Sequence, residues 1–215
     1  MKTVCIVQAR LASTRLPAKV LLPLNGHTVL EEVLRRCKRI LGVHQVVAAI
    51  PDTGDCDVLV PFIKRQDVAV SRGYEFDVLA RYAKAAAEHD ADIVMRVTSD
   101  CPLLSPSVCE SVLALRERHD VGYASNVYPS RHFAQGLDCE VFTRGLLDMA
   151  NNEAVDSYDR EHVTPFIQRN CGVEGYALLK AANDQSHLRF TLDTLADYLI
   201  ILRAFDEAHS DIRAA

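Results

Sequence analysis

Three cations crowd one short stretch near the start of the chain. Residues 8–19 read QARLASTRLPAK and carry Arg10, Arg15 and Lys19, with Ser13 and Thr14 between them. Pro17 rules out a regular helix through the stretch and biases Leu16 towards extended backbone. The apolar run before it, residues 3–7, reads as a buried first strand. The cations are therefore expected on a loop leaving a strand end. Two guanidinium forks and an ammonium on one loop suit a polyanion such as a triphosphate. A solvated basic loop is the plainer alternative. The place after the first strand of an α/β pattern favours binding, because ligands sit at strand carboxyl ends in such folds.

Two aspartates are candidate counterparts. Asp100, in MRVTSDCPLLSP, follows an apolar strand and precedes two prolines. A carboxylate on so stiff a turn could hold Mg²⁺, which takes one or two protein carboxylates and completes its shell with water and phosphate oxygens. Asp193, in LRFTLDTLADY, stands between an apolar strand and the last helix. It reads as a second metal carboxylate, or it or Thr194 caps the helix; a turn role is likewise the alternative for Asp100. Arg96, on the strand before Asp100, could bind phosphate or pair with a carboxylate. GLDCEVF puts Asp138 and Glu140 on one strand face by alternation, to meet sugar hydroxyls or to face solvent. REHVTP groups Arg160, Glu161 and His162, a polar trio or a helix-end ion pair, with no second histidine at a zinc-ligand spacing. In SRGYEFDVLARY, Arg72 beside a glycine turn could face a nucleotide, and Asp77 opens a helix as its cap. Neither GxGxxG, GxxxxGK[ST] nor GxSxG occurs. A polyphosphate site here has to be built from the arginine-rich loop.

The elements that must position these groups follow in alternation. Residues 28–40 show helical spacing, 45–50 a strand ended by Pro51, 55–66 a helix that Pro61 should kink, and 68–70 a short strand. An alanine-rich helix follows at 77–89, a strand at 92–97, a helix at 106–118 and a strand at 121–124. This β-α-β-α rhythm predicts an α/β three-layer sandwich with a mostly parallel central sheet. It breaks after Asn126. A strand is expected at 138–142, helices at 144–151 and 159–170 (with Pro165 unexplained inside the second), strands at 173–180 and 187–190 as a hairpin, and a last helix at 194–208. That helix should bury Leu195, Tyr198, Leu199, Leu202 and Phe205. With no repeat or linker, residues 1–215 read as one domain, with an excursion at about 126–180 that could form an acceptor-site or dimer arm.

Composition narrows the class. Hydrophobic residues at 49% and charged ones at 25% fit a globular chain able to build a core without staples. A net charge of −5 argues against general nucleic-acid affinity. Seven scattered cysteines without a CxxC read as a reducing cytoplasm. The N-terminus lacks a signal-peptide pattern and no run reaches a membrane-spanning length.

Together QARLASTRLPAK, SRGYEFDVLARY, VTSDCPLL, GLDCEVF, REHVTPF and LRFTLDT, in that order over most of the chain, resemble the SpsF-type spore-coat polysaccharide biosynthesis proteins. These are a branch of the cytidylyltransferase family that includes the CMP-sugar synthetases. The resemblance implies a nucleotide-diphospho-sugar transferase fold and Mg²⁺-dependent transfer of CMP from CTP to a sugar or sugar acid, for surface polysaccharide. It implies that Arg10, Ser13, Arg15 and Lys19 grip the triphosphate and that Gln8 and Ala9 lie near base or ribose. Arg72 and Arg96 are counted with the nucleotide site. Asp100 and Asp193 would share the metal, and Asn126, Asp138, Glu140, Arg160 and His162 would border the acceptor. The chain departs from the family at Ala12 and Ala18, where relatives commonly carry glycine; alanine at 12 would strain a loop that needs positive φ there. A homodimer is expected. The alternatives are a glycosyltransferase of the same fold, or a non-catalytic nucleotide-binding subunit.

Overall fold

The computed structural model describes residues 1–172 and 175–213, the side chains of residues 207–213 excepted. β1 (Thr3–Gln8) runs into the cationic loop, which closes in a 3-10 turn at Lys19–Leu21. A small hairpin follows, β2 (Pro23–Leu24) with β3 (His27–Thr28), and then α1 (Val29–Cys37). β4 (Gln45–Pro51), α2 (Val60–Arg65), β5 (Ala69–Gly73), α3 (Val78–Glu88), β6 (Ile93–Thr98), α4 (Pro106–His119) and β7 (Tyr123–Ser125) continue the alternation. β8 (Glu140–Thr143), α5 (Arg144–Glu153), α6 (Ser157–His162), α7 (Pro165–Asn170), β9 (Tyr176–Leu178) and α8 (Leu195–Arg213) complete the described chain.

Seven strands form one sheet in the order β5-β4-β1-β6-β8-β7-β9. β5, β4, β1 and β6 are parallel, β8 runs antiparallel to β6 and β7, and β9 lies parallel beside β7. Alternation along β1 sends Cys5 and Val7 to one face and Val4 and Ile6 to the other. The first face packs α1, α2 and α4; the second packs α3, α5 and α7. The chain leaves β1 towards β4 on one side and returns to β6 on the other. A crevice therefore opens at the carboxyl ends of β1 and β6, where α/β sheets bind ligands.

Both troublesome prolines sit in first turns, where a missing N–H costs nothing. Pro61 opens α2 after a separate 3-10 stretch, Gly54–Leu59, and Pro165 opens α7. The helix expected over 159–170 is thus two helices. The expected hairpin does not form. β9 covers the open edge of β7 instead, and residues 187–190 contribute one isolated bridge, Arg189 with Gln135. Val173 and Glu174, the start of that expected strand, lie outside the described residues. The 126–180 excursion is tied into the fold through β8 and β9 in the sheet and α5, α6 and α7 beside it.

The last helix corrects its expected stripe. Ile201 and Phe205 are buried against Leu24, Val29 and Leu192, with Tyr198 and Leu202 beside them, but Leu195 and Leu199 are 61% and 49% exposed. α8 packs on the small β2–β3 hairpin rather than the broad sheet, so only a narrow stripe is covered. α1 begins with reciprocal capping: the Thr28 hydroxyl accepts from the Glu31 amide, and the Glu31 carboxylate accepts from the Thr28 amide at 2.8 Å. Thr28→Ala should lower stability by about 1 kcal/mol, or the melting temperature by about 2–4 °C, in a thermal melt.

Candidate active site

A cleft of about 750 Å³ lies over the carboxyl ends of β1 and β6. The loop after β1 supplies one wall with Ala9, Arg10, Ser13, Arg15 and Lys19, and Gln8 ends the strand beneath. The turn after β6 supplies Asp100, and the segment before α8 supplies Asp193. These groups meet at one point. The Lys19 ammonium donates to Asp100 Oδ2 at 2.9 Å, to Asp193 Oδ1 at 2.9 Å and to the Leu192 carbonyl at 2.6 Å. All three of its N–H bonds are used, and its side chain is only 12% exposed. Lys19 is thus the cation that draws the two distant aspartates together.

Asp193 collects further charge. Arg15 reaches its Oδ1 at 2.9 Å and Arg189 bonds its Oδ2. Burial alone would raise the Asp193 carboxyl; the bond and charge of Lys19, with Arg15 and Arg189, outweigh it and hold the group below the usual carboxylate range. It does not cap α8. Thr194 and Asp197 do that reciprocally: the Asp197 carboxylate accepts from the Thr194 amide and the Thr194 hydroxyl accepts from the Asp197 amide. Arg189 had a legible signal, since Arg189, Thr191 and Asp193 alternate onto one side of an extended segment.

The β8 side of the cleft is floored by a buried network. Glu140, 4% exposed, accepts from Arg96 at 2.6 Å, Tyr123 at 2.6 Å, Gln168 at 3.0 Å and Thr164 at 3.1 Å. Burial pulls the Arg96 guanidinium down, but the Glu140 charge beside it holds it above its ordinary value. A carboxylate so fully engaged fixes the floor and has little left to offer a sugar hydroxyl. Asp138 precedes the strand, lines the cleft and is bonded by Arg131. His162 also lines the cleft, tilted against Tyr158 with ring centroids 4.4 Å apart. It is followed by Val163 at φ 72°, a strained conformation for a β-branched residue.

Three expected site residues stand elsewhere. Arg72, at the end of β5, is paired with Asp57 at 2.5 Å and does not line the cleft. Arg160 turns away to bond Asp77 and the Asn151 carbonyl at 2.7 Å, joining α6 to the start of α3, where Asp77 also caps. Asn126 is fully buried and braces the entry to β8 by bonding the Leu137 carbonyl and the Cys139 amide. Each has partners closer at hand than a ligand. Arg81 and Phe76 line the cleft without having been singled out in the sequence. Helical spacing hid Arg81, which shares α3 with Tyr82 and its alanine neighbours. The positive backbone φ falls at Ala18 (54°), not at Ala12.

A family model described as cytidylyltransferase matches residues 4–200. The spore coat polysaccharide biosynthesis protein SpsF of Bacillus subtilis is 28% identical over 94% of the chain and 86% of its own length. The structure of a cytidylyltransferase from Leptospira borgpetersenii aligns with a TM-score of 0.88 at 32% identity, covering 94% of this chain and 85% of that one. A CMP:2-keto-3-deoxy-manno-octonic acid synthetase complexed with CTP shares the fold, with a TM-score of 0.75 at 17% identity and coverage of 97% and 100%.

Two outcomes follow from this geometry. Asp193 has a depressed pKa in the folded state, so its contribution is present above the unfolded value of about 4 and is lost as pH falls through the lower folded value. Melting temperatures measured from pH 6 to pH 2 should therefore fall less steeply for Asp193→Asn than for the parent. Ala18→Gly relieves a left-handed alanine at some cost in chain entropy and should raise the melting temperature by about 1–4 °C, a net of about 0.5–1 kcal/mol.

Proposed function

From the premise that the chain belongs to the cytidylyltransferase family, we propose that it transfers CMP from CTP to a sugar or sugar acid and releases pyrophosphate. The observation that carries this reading is the convergence of Asp100, Asp193 and the loop cations at one corner of a cleft that extends to Gln8 and His162. The likeness to SpsF supports a role in surface polysaccharide synthesis.

Mg²⁺ fits the donor set. Two carboxylates and a carbonyl already surround a cation position, occupied by the Lys19 ammonium, and oxygen donors of this kind are what the ion prefers. Asp100 and Asp193 would hold it, and when bound it would neutralise phosphate charge at the reacting end of the nucleotide. The chain's own residues do the rest. Arg10 and Arg15 flank the loop and can fork onto phosphate oxygens, and Ser13 adds a donor. With Asp100 and Asp193 engaged by such an ion, the Lys19 ammonium that they now hold would be free to meet the polyphosphate. The acceptor hydroxyl attacks the α-phosphorus, its P–O bond forming as the bond to pyrophosphate breaks. Asp193, held at a low pKa, is a weak base for that hydroxyl proton. His162, at the cleft wall on the acceptor side, is better placed by chemistry to receive it. The seven free thiols suit a reducing cytoplasm, and a homodimer belongs to the same reading.

Pyrophosphate release should be measured with CTP, Mg²⁺ and a panel of sugars and sugar acids. Turnover is expected, with Asp100→Asn and Asp193→Asn each reducing it by about 10²–10³-fold. No turnover of any nucleotide, together with unchanged nucleotide binding by Asp100→Asn, would sink the reading.

A further inference from the structure

Three consecutive residues between α6 and α7 go to three different places. His162 lines the cleft, Val163 is fully buried in the core on the α3 side, and Thr164, 3% exposed, donates to the Glu140 carboxylate at 3.1 Å. The backbone manages this with an unusual turn. The Val163 amide bonds the Asp159 carbonyl at 2.9 Å, the last bond of α6, but the Thr164 amide bonds the His162 carbonyl, two residues back, at 2.8 Å. With Val163 at φ 72° and ψ −57°, this is a γ-turn of the rare, strained kind. A β-branched residue is least at ease there. Thr164 adds a second oddity, since it keeps helical backbone directly before Pro165, where the proline ring opposes it. Two disfavoured residues in a row persist where their surroundings over-determine them.

Glu140 is the fixture that does so. Thr164 stands at the N-cap of α7, where a threonine hydroxyl ordinarily caps the helix, yet it makes no capping bond and serves Glu140 instead. Gln168, one turn further on, donates to the same carboxylate at 3.0 Å. Arg96 and Tyr123, each at 2.6 Å, fix Glu140 to the sheet. The first turn of α7 is therefore pinned to the floor of the cleft. α6 is pinned separately, by Arg160 on Asp77 and by Asp159 beneath Arg169. The turn at Val163 has to bridge the two. We propose that Thr164 is a positioning residue: its bond to Glu140 keeps the γ-turn closed and so holds the His162 imidazole at the acceptor wall of the cleft. This rests on the reading of His162 as the group that takes the proton from the acceptor hydroxyl as the oxygen–phosphorus bond forms and pyrophosphate leaves. Tyr158 packs against the imidazole, with ring centroids 4.4 Å apart, and limits its tilt. The turn limits how far the backbone beneath it can move. Without the Thr164 bond, Val163 can relax to negative φ and carry His162 away from the wall.

The test compares the parent with His162→Gln, Thr164→Val, Thr164→Ser and the double variant His162→Gln with Thr164→Val, using thermal melts to confirm folding. Initial rates of pyrophosphate release are taken with CTP, Mg²⁺ and the member of the sugar and sugar-acid panel that the parent turns over fastest. Thr164→Val should lower kcat by about 10–10²-fold and leave KM for CTP within about twofold, Thr164→Ser should stay near the parent, and the double variant should be no slower than His162→Gln alone. A second readout needs no acceptor. In histidine-labelled protein, the imidazole resonance that His162→Gln removes should shift in Thr164→Val and stay in place in Thr164→Ser. A folded Thr164→Val with parental kcat, or a loss that multiplies in full with that of His162→Gln, overturns the inference and leaves the transfer reading standing. If Thr164→Val does not fold, Thr164→Ala decides by the same measures. No pyrophosphate from the parent with any nucleotide overturns both.

Discussion

The Lys19 ammonium is the tie on which the rest of the site depends. It joins three parts of the chain that are far apart in sequence: the loop after β1, the turn after β6 and the segment before α8. Removing any of its partners would leave charge with poor access to water, which is the expensive way to break a buried pair. The pair itself need contribute little to stability. Its value is geometric: two carboxylates that would repel one another are held at one point before any substrate arrives. The protein thus carries its own cation at the point where the loop after β1, the turn after β6 and the segment before α8 meet.

The sheet converts this point into a cleft with two kinds of wall. β1 and β6 are adjacent and parallel, and the chain diverges from them in opposite directions. Alternation then sorts their terminal residues. Gln8 and Arg96 project towards the α3 side, with its buried guanidiniums and aromatic rim, while the loops beyond carry Lys19 and Asp100 to the corner shared with Asp193. One strand end therefore supplies both Gln8 on the α3 side and the cationic loop on the other. The Arg96–Glu140 pair lies between as floor, and it locks antiparallel β8 onto the parallel half of the sheet.

Much of this was legible in the sequence because it rests on local signals. Apolar runs ended by proline and glycine located the strands of the parallel half, and the spacing of Arg10, Arg15 and Lys19 across Pro17 announced a loop. The misreadings share a cause: the deciding partner came from elsewhere in the chain. Arg72 looked able to face a nucleotide until Asp57 met it, and of the two readings open for Arg160, an acceptor contact or an ion pair, Asp77 decides for the pair. Residues 187–190 looked like a strand, but β9 had already taken the edge that could pair. Leu195 and Leu199 fit a buried stripe wider than the one α8 has, because α8 packs on the β2–β3 hairpin, the start of α1 and Leu192 rather than on the broad sheet. Arg81 was invisible for the opposite reason, since a lone arginine in an alanine-rich helix reads as a solvated face.

Ala18 shows how far the loop's shape was decided by something other than residue preference. An alanine there adopts φ 54° although the left-handed region disfavours it. The amide of Ala18 bonds the Leu11 carbonyl at 3.1 Å and the turn that follows begins at Lys19. Reversing the chain at residue 18 aims the next side chain back under the loop, and that side chain is the lysine. Strain at one position is thus tolerated because three strong bonds at the next depend on it. The same logic applies at Val163, whose positive φ follows His162 directly. In both places the unfavourable backbone lies beside a polar side chain at the cleft, and the surrounding packing, Val163 being fully buried, is what holds it there.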